Sequence, residues 1–280
     1  MLKNLSLLLL FVGFTATSNA QIKTPQPSPA AKLEQVVGLT DVTIEYSRPA
    51  MRGRAIFGNL VPYGKVWRTG ANANTKITFS DNVIIDGKEL KKGTYAIYTI
   101  PNKTSWDVIF YTDANNSGTP KEWDENKVAV KTTVQVQEMP VNIESFTLLF
   151  DDLKVNSAVI GILWENVYVG VPFEVPTEQI AMKNIESVMS GPSNNDYYQA
   201  ASYYHTEGKD LKQALAWMQK ATADGNAPFW YLRRMSLIQA DLGDKAGAIA
   251  TAKKSLEAAK KANNADYIKM NEESISKWQK

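Results

Sequence analysis

The sequence predicts an α+β protein in two domains, an N-terminal antiparallel β-sandwich and a C-terminal domain of α-helical repeats. Three observations lead to this prediction. In residues 31–174, apolar residues alternate with polar ones or form short β-branched and aromatic runs that turns separate. In residues 177–280, the apolar spacing is that of amphipathic helices. Two of these helical segments are related by a constant offset of 34 residues.

The first twenty residues have the three parts of a secretory signal peptide. Lys3 gives a positive start, residues 5–14 are mostly apolar, and the small residues Ser18 and Ala20 precede the predicted cleavage point. The apolar run is too short to span a bilayer. We therefore expect cleavage after Ala20 and a mature protein that is periplasmic or secreted. The alternative for this segment is a buried N-terminal strand or helix.

The composition excludes several kinds of function. The sequence contains no cysteine, which excludes disulfides, thiolate metal ligands, cysteine nucleophiles and a lipid anchor on cysteine. Without Lys3 the mature chain has 30 basic residues (31 minus one) and 29 acidic residues. A chain so close to neutrality gives no general reason to expect nucleic acid or an anionic membrane as a partner. No later segment reaches 18 consecutive apolar residues, so we expect no membrane insertion.

The β-sandwich prediction starts after an N-terminal arm, residues 21–30, which contains three prolines and should be extended. Eight to ten short strands with turns between them are typical of a β-sandwich. The clearest strand segments are 42–46, 76–80, 95–100, 106–111, 128–136, 145–150, 158–164 and 167–173.

One turn of this domain has the pattern of a tyrosine corner. Gly93 precedes Tyr95 by two residues at the start of a predicted strand. In sandwich domains a tyrosine so placed returns its hydroxyl group to the backbone of the preceding turn. The alternative is that Tyr95 is an ordinary strand residue beside a turn.

The second domain contains an internal repeat. Segment 210–220 returns as segment 244–254, with aspartate at its start, three apolar residues in its middle and lysine at its end. The period of 34 residues is that of tetratricopeptide repeats, which are helix–turn–helix units. We expect their first helices at 196–206 and 229–242, and flanking helices near 177–189 and 265–278. The alternative is an ordinary helical bundle with a chance repeat.

A long segment between two predicted strands has an unusual charge. Residues 47–75, called here the Arg-rich loop, contain five basic residues and no acidic residue. They also contain four glycines and two prolines, which argue against regular secondary structure. Long loops on a β-scaffold commonly carry binding sites, so the Arg-rich loop is the best candidate for function.

The residue types of the Arg-rich loop suit a small anionic or glycan ligand. Arginine pairs with carboxylate, sulfate or phosphate through two N–H donors, and aromatic rings cover a sugar or aliphatic face. The predicted binding residues are Arg48, Arg52, Arg54, Tyr63, Trp67, Arg68 and Asn72. The alternative is a structural loop whose arginines pair internally with carboxylates such as Glu45, Asp151 or Glu165 and whose Trp67 belongs to the core.

The Arg-rich loop also resembles the signature of a known family. The resemblance rests on Ser47-Arg48-Pro49, Gly53-Arg54, Ile56-Phe57-Gly58, Leu60-Val61-Pro62-Tyr63-Gly64 and Val66-Trp67-Arg68-Thr69-Gly70-Ala71-Asn72, with Lys92-Gly93-Thr94-Tyr95, Ile100-Pro101 and Trp106. These residues resemble the DUF2911 family, exported proteins of Bacteroidetes-type bacteria, over roughly residues 28–174. The resemblance implies helical repeats at the C-terminus but no activity, because the family's function is uncharacterised. Ala73 departs from the family, which commonly has glutamate there.

The sequence has no convincing set of catalytic, metal-binding or cofactor-binding residues. Its single histidine, His205, falls in a predicted helix, and one histidine cannot build a zinc site. Asp113, Asn115, Asn116 and Asp124 are oxygen donors near a turn, but their spacing departs from that of a calcium-binding loop. We therefore predict no catalytic residue, no metal and no cofactor.

Together these patterns predict an exported, non-enzymatic binding protein. Its β-domain should bind the small ligand. Residues 177–280 should bind a protein partner, because concave helical-repeat surfaces commonly do so. Two alternatives stay open. One is a carbohydrate-active hydrolase with two catalytic carboxylates among Glu45, Asp107, Asp151 and Glu165, and the other is a purely structural envelope protein.

Overall fold

A computed structural model of the chain describes residues 24–189 and 191–280. The predicted signal peptide lies outside the described residues. The described chain contains an antiparallel sheet of nine strands followed by six helices, so the α+β class is confirmed. None of its helices is long and apolar enough to cross a membrane. The chain divides into a β-unit (residues up to Gln35, Asp41–Leu153 and Ala158–Phe173) and a helical unit (Val36–Thr40, Lys154–Ser157 and Glu174–Lys280).

The nine strands form one sheet. They are β1 Ala30–Val37, β2 Thr40–Ser47, β3 Lys76–Phe79, β4 Val83–Ile85, β5 Lys88–Leu90, β6 Gly93–Pro101, β7 Ser105–Tyr111, β8 Val128–Asp151 and β9 Ser157–Glu174. Their order in the sheet is β1-β2-β3-β6-β7-β8-β9-β4-β5. Strands β1, β4 and β5 are not among those predicted from the sequence. Strands β4 and β5 have only three residues each, and most side chains of β1 are exposed or half-buried.

Two strands are longer than the sequence predicts. Segments 128–136 and 145–150 belong to the single strand β8, and segments 158–164 and 167–173 belong to β9, so the division into four strands is wrong. The β8–β9 pairing shifts register between Glu138 and Ile143. Pro140, which has no N–H to donate, lies in that shift. In a sequence, a proline at this place looks like the end of a strand, although here the strand continues through a bulge.

The core of the β-unit covers both faces of the central strands. Alternate residues of β7 point to opposite faces. Trp106 and Phe110 on one face are 1% and 0% exposed. Tyr111 on the other face packs with Tyr98 and Trp123. The side chains of β6 and β7 are therefore fixed from both sides.

The predicted tyrosine corner is confirmed. The hydroxyl group of Tyr95 donates a hydrogen bond of 2.8 Å to the carbonyl oxygen of Lys91. Burial raises the pKa of Tyr95, so the hydroxyl stays protonated and able to donate. The bond fastens the start of β6 to the turn before it.

The helical unit contains α1 Thr177–Val188, α2 Asn194–Thr206, α3 Leu211–Ala221, α4 Phe229–Asp241, α5 Lys245–Lys261 and α6 Ala265–Trp278. Asp210 and Asp244, the matched first residues of the sequence repeat, are the N-caps of α3 and α5. The carboxylate of Asp210 accepts hydrogen bonds from two N–H groups of the first helical turn, and that of Asp244 accepts one. The matched Ala214 and Ala248 are both fully buried. The sequence repeat therefore corresponds to a repeated local structure.

The single histidine joins two helices of this unit. Nδ1 of His205 in α2 lies 2.9 Å from Nη1 of Arg234 in α4, and Nε2 lies 2.8 Å from Oδ2 of Asp241 in α4. Because a guanidinium group only donates, Nδ1 is the acceptor and Nε2 carries the hydrogen that Asp241 accepts. His205 therefore stabilises the packing of α2 against α4.

Candidate ligand-binding site

The Arg-rich loop joins β2 to β3 without forming a helix or a regular strand. Backbone hydrogen bonds hold it against β6 and β8. Trp67 exchanges bonds of 2.7 and 2.9 Å with Thr99 of β6, and the N–H of Phe146 in β8 donates one of 2.8 Å to Pro49. A loop fastened at its start and in its middle presents its side chains in defined positions.

Two rings of the loop belong to an aromatic cluster. Phe57 and Trp67 pack with Trp106, Phe146 and Trp164, with contacting ring centroids 4.8 to 6.4 Å apart. Trp67 and Trp164 are stacked at 5.9 Å with 17° between their planes. Trp164 is 2% exposed, whereas Trp67 is half-buried. Trp67 is therefore a member of the core that also reaches the surface.

A cavity of about 370 Å³, called here the arginine cavity, lies beside this cluster. Arg52, Arg54 and Arg68 line it, together with Trp67 and Trp164. Its other lining residues are uncharged: Pro27, Ser28, Pro49, Ala50, Leu60, Val61, Gly70 and Ala71. Four of the seven predicted binding residues therefore surround one cavity.

The guanidinium groups of the arginine cavity bond to backbone carbonyl oxygens. The bonds are Arg52 Nη2 to Pro27 (2.8 Å), Arg54 Nε to Met51 (2.9 Å), Arg54 Nη2 to Ala50 (2.7 Å) and Arg68 Nη1 to Asn72 (3.1 Å). Within residues 24–189 and 191–280, none of these three arginines forms a salt bridge. No carboxylate of the described chain therefore pairs directly with these guanidinium groups, although that of Glu144 accepts a bond of 2.8 Å from the backbone N–H of Arg52, and each guanidinium group keeps further N–H donors.

The N-terminal arm forms one wall of the arginine cavity. Three consecutive carbonyl oxygens of the arm accept hydrogen bonds from the loop: Pro27 from Arg52 at 2.8 Å, Ser28 from Asn72 at 3.0 Å and Pro29 from the N–H of Arg48 at 2.9 Å. Because proline has no N–H, this part of the arm supplies mainly acceptors. The carbonyl acceptors of the arm therefore complement the N–H donors of the Arg-rich loop.

Strained backbone is concentrated near this cavity. In the described chain, three of the seven non-glycine residues with positive φ lie in the Arg-rich loop: Arg52 at 51°, Thr69 at 54° and Asn72 at 58°. Thr69 is β-branched and fully buried, and its Oγ1 lies 3.1 Å from that of Thr99. Such conformations persist only where their surroundings hold them, and they cluster at functional sites.

A carboxylate of β9 anchors the loop. Both carboxylate oxygens of Glu165 accept hydrogen bonds from the loop backbone, at 3.4 Å from the N–H of Ile56 and 3.2 Å from that of Phe57. Glu165 itself has a positive φ of 55°. The expected internal pairing of this carboxylate exists, but with backbone N–H groups instead of an arginine.

Three predicted binding residues do not line the arginine cavity. Arg48 bonds to the carbonyl oxygen of Phe146 and the hydroxyl of Thr147, so it fastens the loop to β8. Asn72 bonds to the arm. Tyr63 is 37% exposed and its ring lies against Gly58. These residues shape the loop, and the cavity does not involve them directly.

One side of the cavity consists of residues that the sequence did not single out. Pro27 and Ser28 belong to the arm, and Trp164 lies within β9. The only signal in the sequence was indirect, because proline-rich carbonyl groups and arginine donors are complementary. Nothing in the alternation pattern of β9 shows that Trp164 stacks on Trp67.

The carboxylates considered for hydrolysis do not meet at the arginine cavity. Asp107 bonds to Lys131 at 2.9 Å and Thr133 at 2.7 Å. Burial raises the pKa of Asp107, but these hydrogen bonds outweigh it and leave the pKa below its ordinary value. Asp151 accepts a bond from the N–H of Asp152. In the described chain, no group of three or more His, Asp or Glu side chains is arranged to hold a metal ion.

Comparison with known proteins gives one result. No curated protein and no solved structure was found to match the chain. The family described as "Protein of unknown function (DUF2911)" matches residues 28–173, which is more than half of the 280 residues and includes the whole Arg-rich loop. The chain therefore belongs to the DUF2911 family.

Proposed function

We propose that this protein is an exported binding protein whose β-unit holds a small ligand with an anionic group in the arginine cavity. One observation carries the proposal: three guanidinium groups with neutral partners line a cavity that also contains a stacked tryptophan pair. Carboxylate, sulfate and phosphate are the groups that arginine binds best, since they accept two parallel N–H bonds.

The dimensions of the cavity favour a small molecule. Its volume of about 370 Å³ is within the usual range for sites of small ligands, which runs from about 300 to 1,000 Å³. The partly exposed ring of Trp67 offers an apolar face beside the charged groups. An acidic sugar or another compact ring that carries an acidic group combines both requirements.

The finer architecture is also a proposal. We propose a β-sandwich because the long strand β8 pairs with β7 through residues 128–135 and with β9 through residues 136–151, so that its two halves belong to different groups of strands. We propose tetratricopeptide-like repeats because each helix from α2 to α5 packs against the next one in the chain, and α4 also contacts α2 and α6. The helical unit would then bind a protein partner.

The ligand proposal is tested by isothermal titration calorimetry at low ionic strength. The probes are glucuronic acid, a sulfated disaccharide and inorganic phosphate, with glucose as the uncharged control. Arg54→Ala should weaken the binding of an acidic probe by about tenfold, equal to about 1.4 kcal/mol. Arg54→Lys should have an intermediate effect, because the charge remains but the paired donors are lost.

Lys92→Ala is the matched control, since it removes one exposed positive charge of the β-unit away from the cavity. Absence of binding to every acidic probe, or equal affinity of the Arg54→Ala and Lys92→Ala variants, would refute the ligand proposal. A purely structural loop is the alternative that a specific observation favours, because every cavity arginine also bonds to the backbone. It predicts that Arg54→Ala lowers stability while no probe binds.

A further inference from the structure

We propose that a groove in the helical unit binds an acidic peptide segment of a protein partner. The groove has a volume of about 650 Å³ and is formed by the end of α3, the loop after it, α4 and α5. We call it the lysine groove. This inference rests on the protein-binding half of the proposed function, and it names both the surface and the chemistry of the partner.

The floor of the lysine groove is apolar. Leu232 and Met235 of α4, Ala227 before α4 and Ala258 of α5 line it, and all four are half-buried. Apolar side chains left partly open to water in a groove gain free energy when another apolar group covers them. A leucine or similar side chain of a partner supplies such a cover.

The rim of the lysine groove is positive. Lys253, Lys254 and Lys261 line it and are exposed, and within the described residues none of them forms a salt bridge. The one acidic lining residue, Glu257, lies 3.4 Å from the ammonium group of Lys260. The charge of the rim is therefore available to an outside partner, and charge complementarity favours an acidic one.

Two polar side chains add hydrogen-bonding capacity. Asn226 and Thr251 line the groove, and within the described chain neither side chain has a hydrogen-bond partner. A peptide backbone carries N–H and C=O groups in regular alternation and can use both of them. The lysine groove therefore has an apolar floor, a basic rim and free polar groups. These features fit an extended peptide segment in which acidic residues flank an apolar residue.

The test is fluorescence polarisation with the full chain and a short labelled peptide in which glutamates flank two leucines. Two matched peptides replace the glutamates by glutamine or the leucines by serine. We expect the first peptide to bind and both matched peptides to bind at least about tenfold more weakly, since each loses one of the two complementary features. Raised salt should weaken binding of the first peptide.

Three variants assign the binding to the groove. Combined Lys253→Ala, Lys254→Ala and Lys261→Ala should weaken binding by about tenfold. Ala258→Glu should do the same, because it adds bulk and a repelling charge while keeping a good helix former in α5. The control combines Lys212→Ala, Lys245→Ala and Lys277→Ala, three exposed lysines outside the groove, and should leave binding unchanged.

Equal loss in the two triple variants, or equal affinity for a single-stranded oligonucleotide, would mean general attraction to polyanions and would overturn the inference. Equal affinity for the glutamine peptide would also overturn it. The full chain could also capture a protein partner equally well with and without the groove lysines. That result would overturn the assignment of binding to the lysine groove, but it would leave the proposed protein-binding function standing. None of the substituted residues lines the arginine cavity, so titrations of that cavity should be unaffected and the two proposals fail separately.

Discussion

An arginine that bonds to a carbonyl oxygen keeps its positive charge, whereas an arginine paired with a carboxylate loses most of its attraction for other anions. Arg52, Arg54 and Arg68 are of the first kind. Their residue types alone suggested a choice between ligand binding and internal ion pairs. The folded chain gives a third arrangement, because backbone bonds position the groups without neutralising them. This arrangement could not be derived from the sequence, since it depends on which carbonyl groups the loop turns toward each side chain.

At the same scale, Glu165 is the residue whose loss should affect the Arg-rich loop most. Glu165→Ala leaves the N–H groups of Ile56 and Phe57 without their acceptors. Because hydrogen bonds to a charged acceptor contribute about 1.5–3 kcal/mol, we expect the free energy of unfolding to fall by about that amount. Urea denaturation measures it. Trypsin should also cleave faster after Arg52 and Arg54.

Glu122→Ala is the control for this prediction, because Glu122 is exposed and lies outside the loop. Its effect should stay within about 0.5 kcal/mol, as for most surface substitutions. If both variants lose the same small amount, the carboxylate of Glu165 does not anchor the loop.

At the scale of elements, helices were predicted better than strands. Helices α3 and α5 begin directly after Asp210 and Asp244, whose side chains cap them, and such caps are visible in a sequence. Strand ends in β8 and β9 were predicted wrongly because a bulge and a proline interrupt the apolar alternation without ending the pairing. The stacking of Trp67 on Trp164 joins a loop to a distant strand, and local patterns carry no information about such a contact.

The pairing of β7 with β8 should be sensitive to acid through Asp107. Its folded-state pKa lies below the ordinary value of 3.8 because Lys131 and Thr133 bond to the carboxylate. A carboxyl group with a lowered pKa stabilises the fold at pH above its unfolded pKa, and this contribution is lost as the pH falls through the folded pKa. Asp107→Asn should therefore lower stability at neutral pH and flatten the loss of stability below about pH 4.

Urea denaturation at a series of pH values from neutral to acidic measures this effect. Asp86→Asn is the control, since Asp86 lies at the exposed turn between β4 and β5, where asparagine tolerates the positive φ of 52°. The control should keep the acid-dependent loss of the unchanged protein. If the stability of the Asp107→Asn variant falls with decreasing pH as steeply as that of the unchanged protein, the prediction is wrong.

At the scale of the whole molecule, the arginine cavity is built from segments that are distant in the chain. The arm supplies Pro27 and Ser28, the Arg-rich loop supplies the arginines and Trp67, and β9 supplies Trp164. The sequence identified the loop as the candidate site, and it also marked the arm as extended. It could not show that the arm lies along the loop, because hydrogen bonds between segments 25 and 44 residues apart leave no periodic pattern.

Deleting residues 24–29 should therefore loosen the loop without unfolding the protein. The deletion removes the acceptors of Arg52, Asn72 and the N–H of Arg48. We expect faster tryptic cleavage after Arg52, measured by mass spectrometry, because exposed bonds of this kind stabilise a local conformation more than the whole fold. Cleavage after Lys92, outside the loop, should keep its rate. Equal acceleration at both sites would indicate general unfolding.

The stacked pair of Trp67 and Trp164 also gives the protein an internal optical reporter. Two indole rings with centroids 5.9 Å apart and nearly parallel planes are close enough for their electronic transitions to couple. Such coupling shapes the near-ultraviolet circular dichroism, and it changes when one ring tilts or its surroundings become less polar. Because both rings line the arginine cavity, occupancy of the cavity can be followed without any label. Trp164→Phe would remove the coupled signal and identify it among those of the seven tryptophans of the chain.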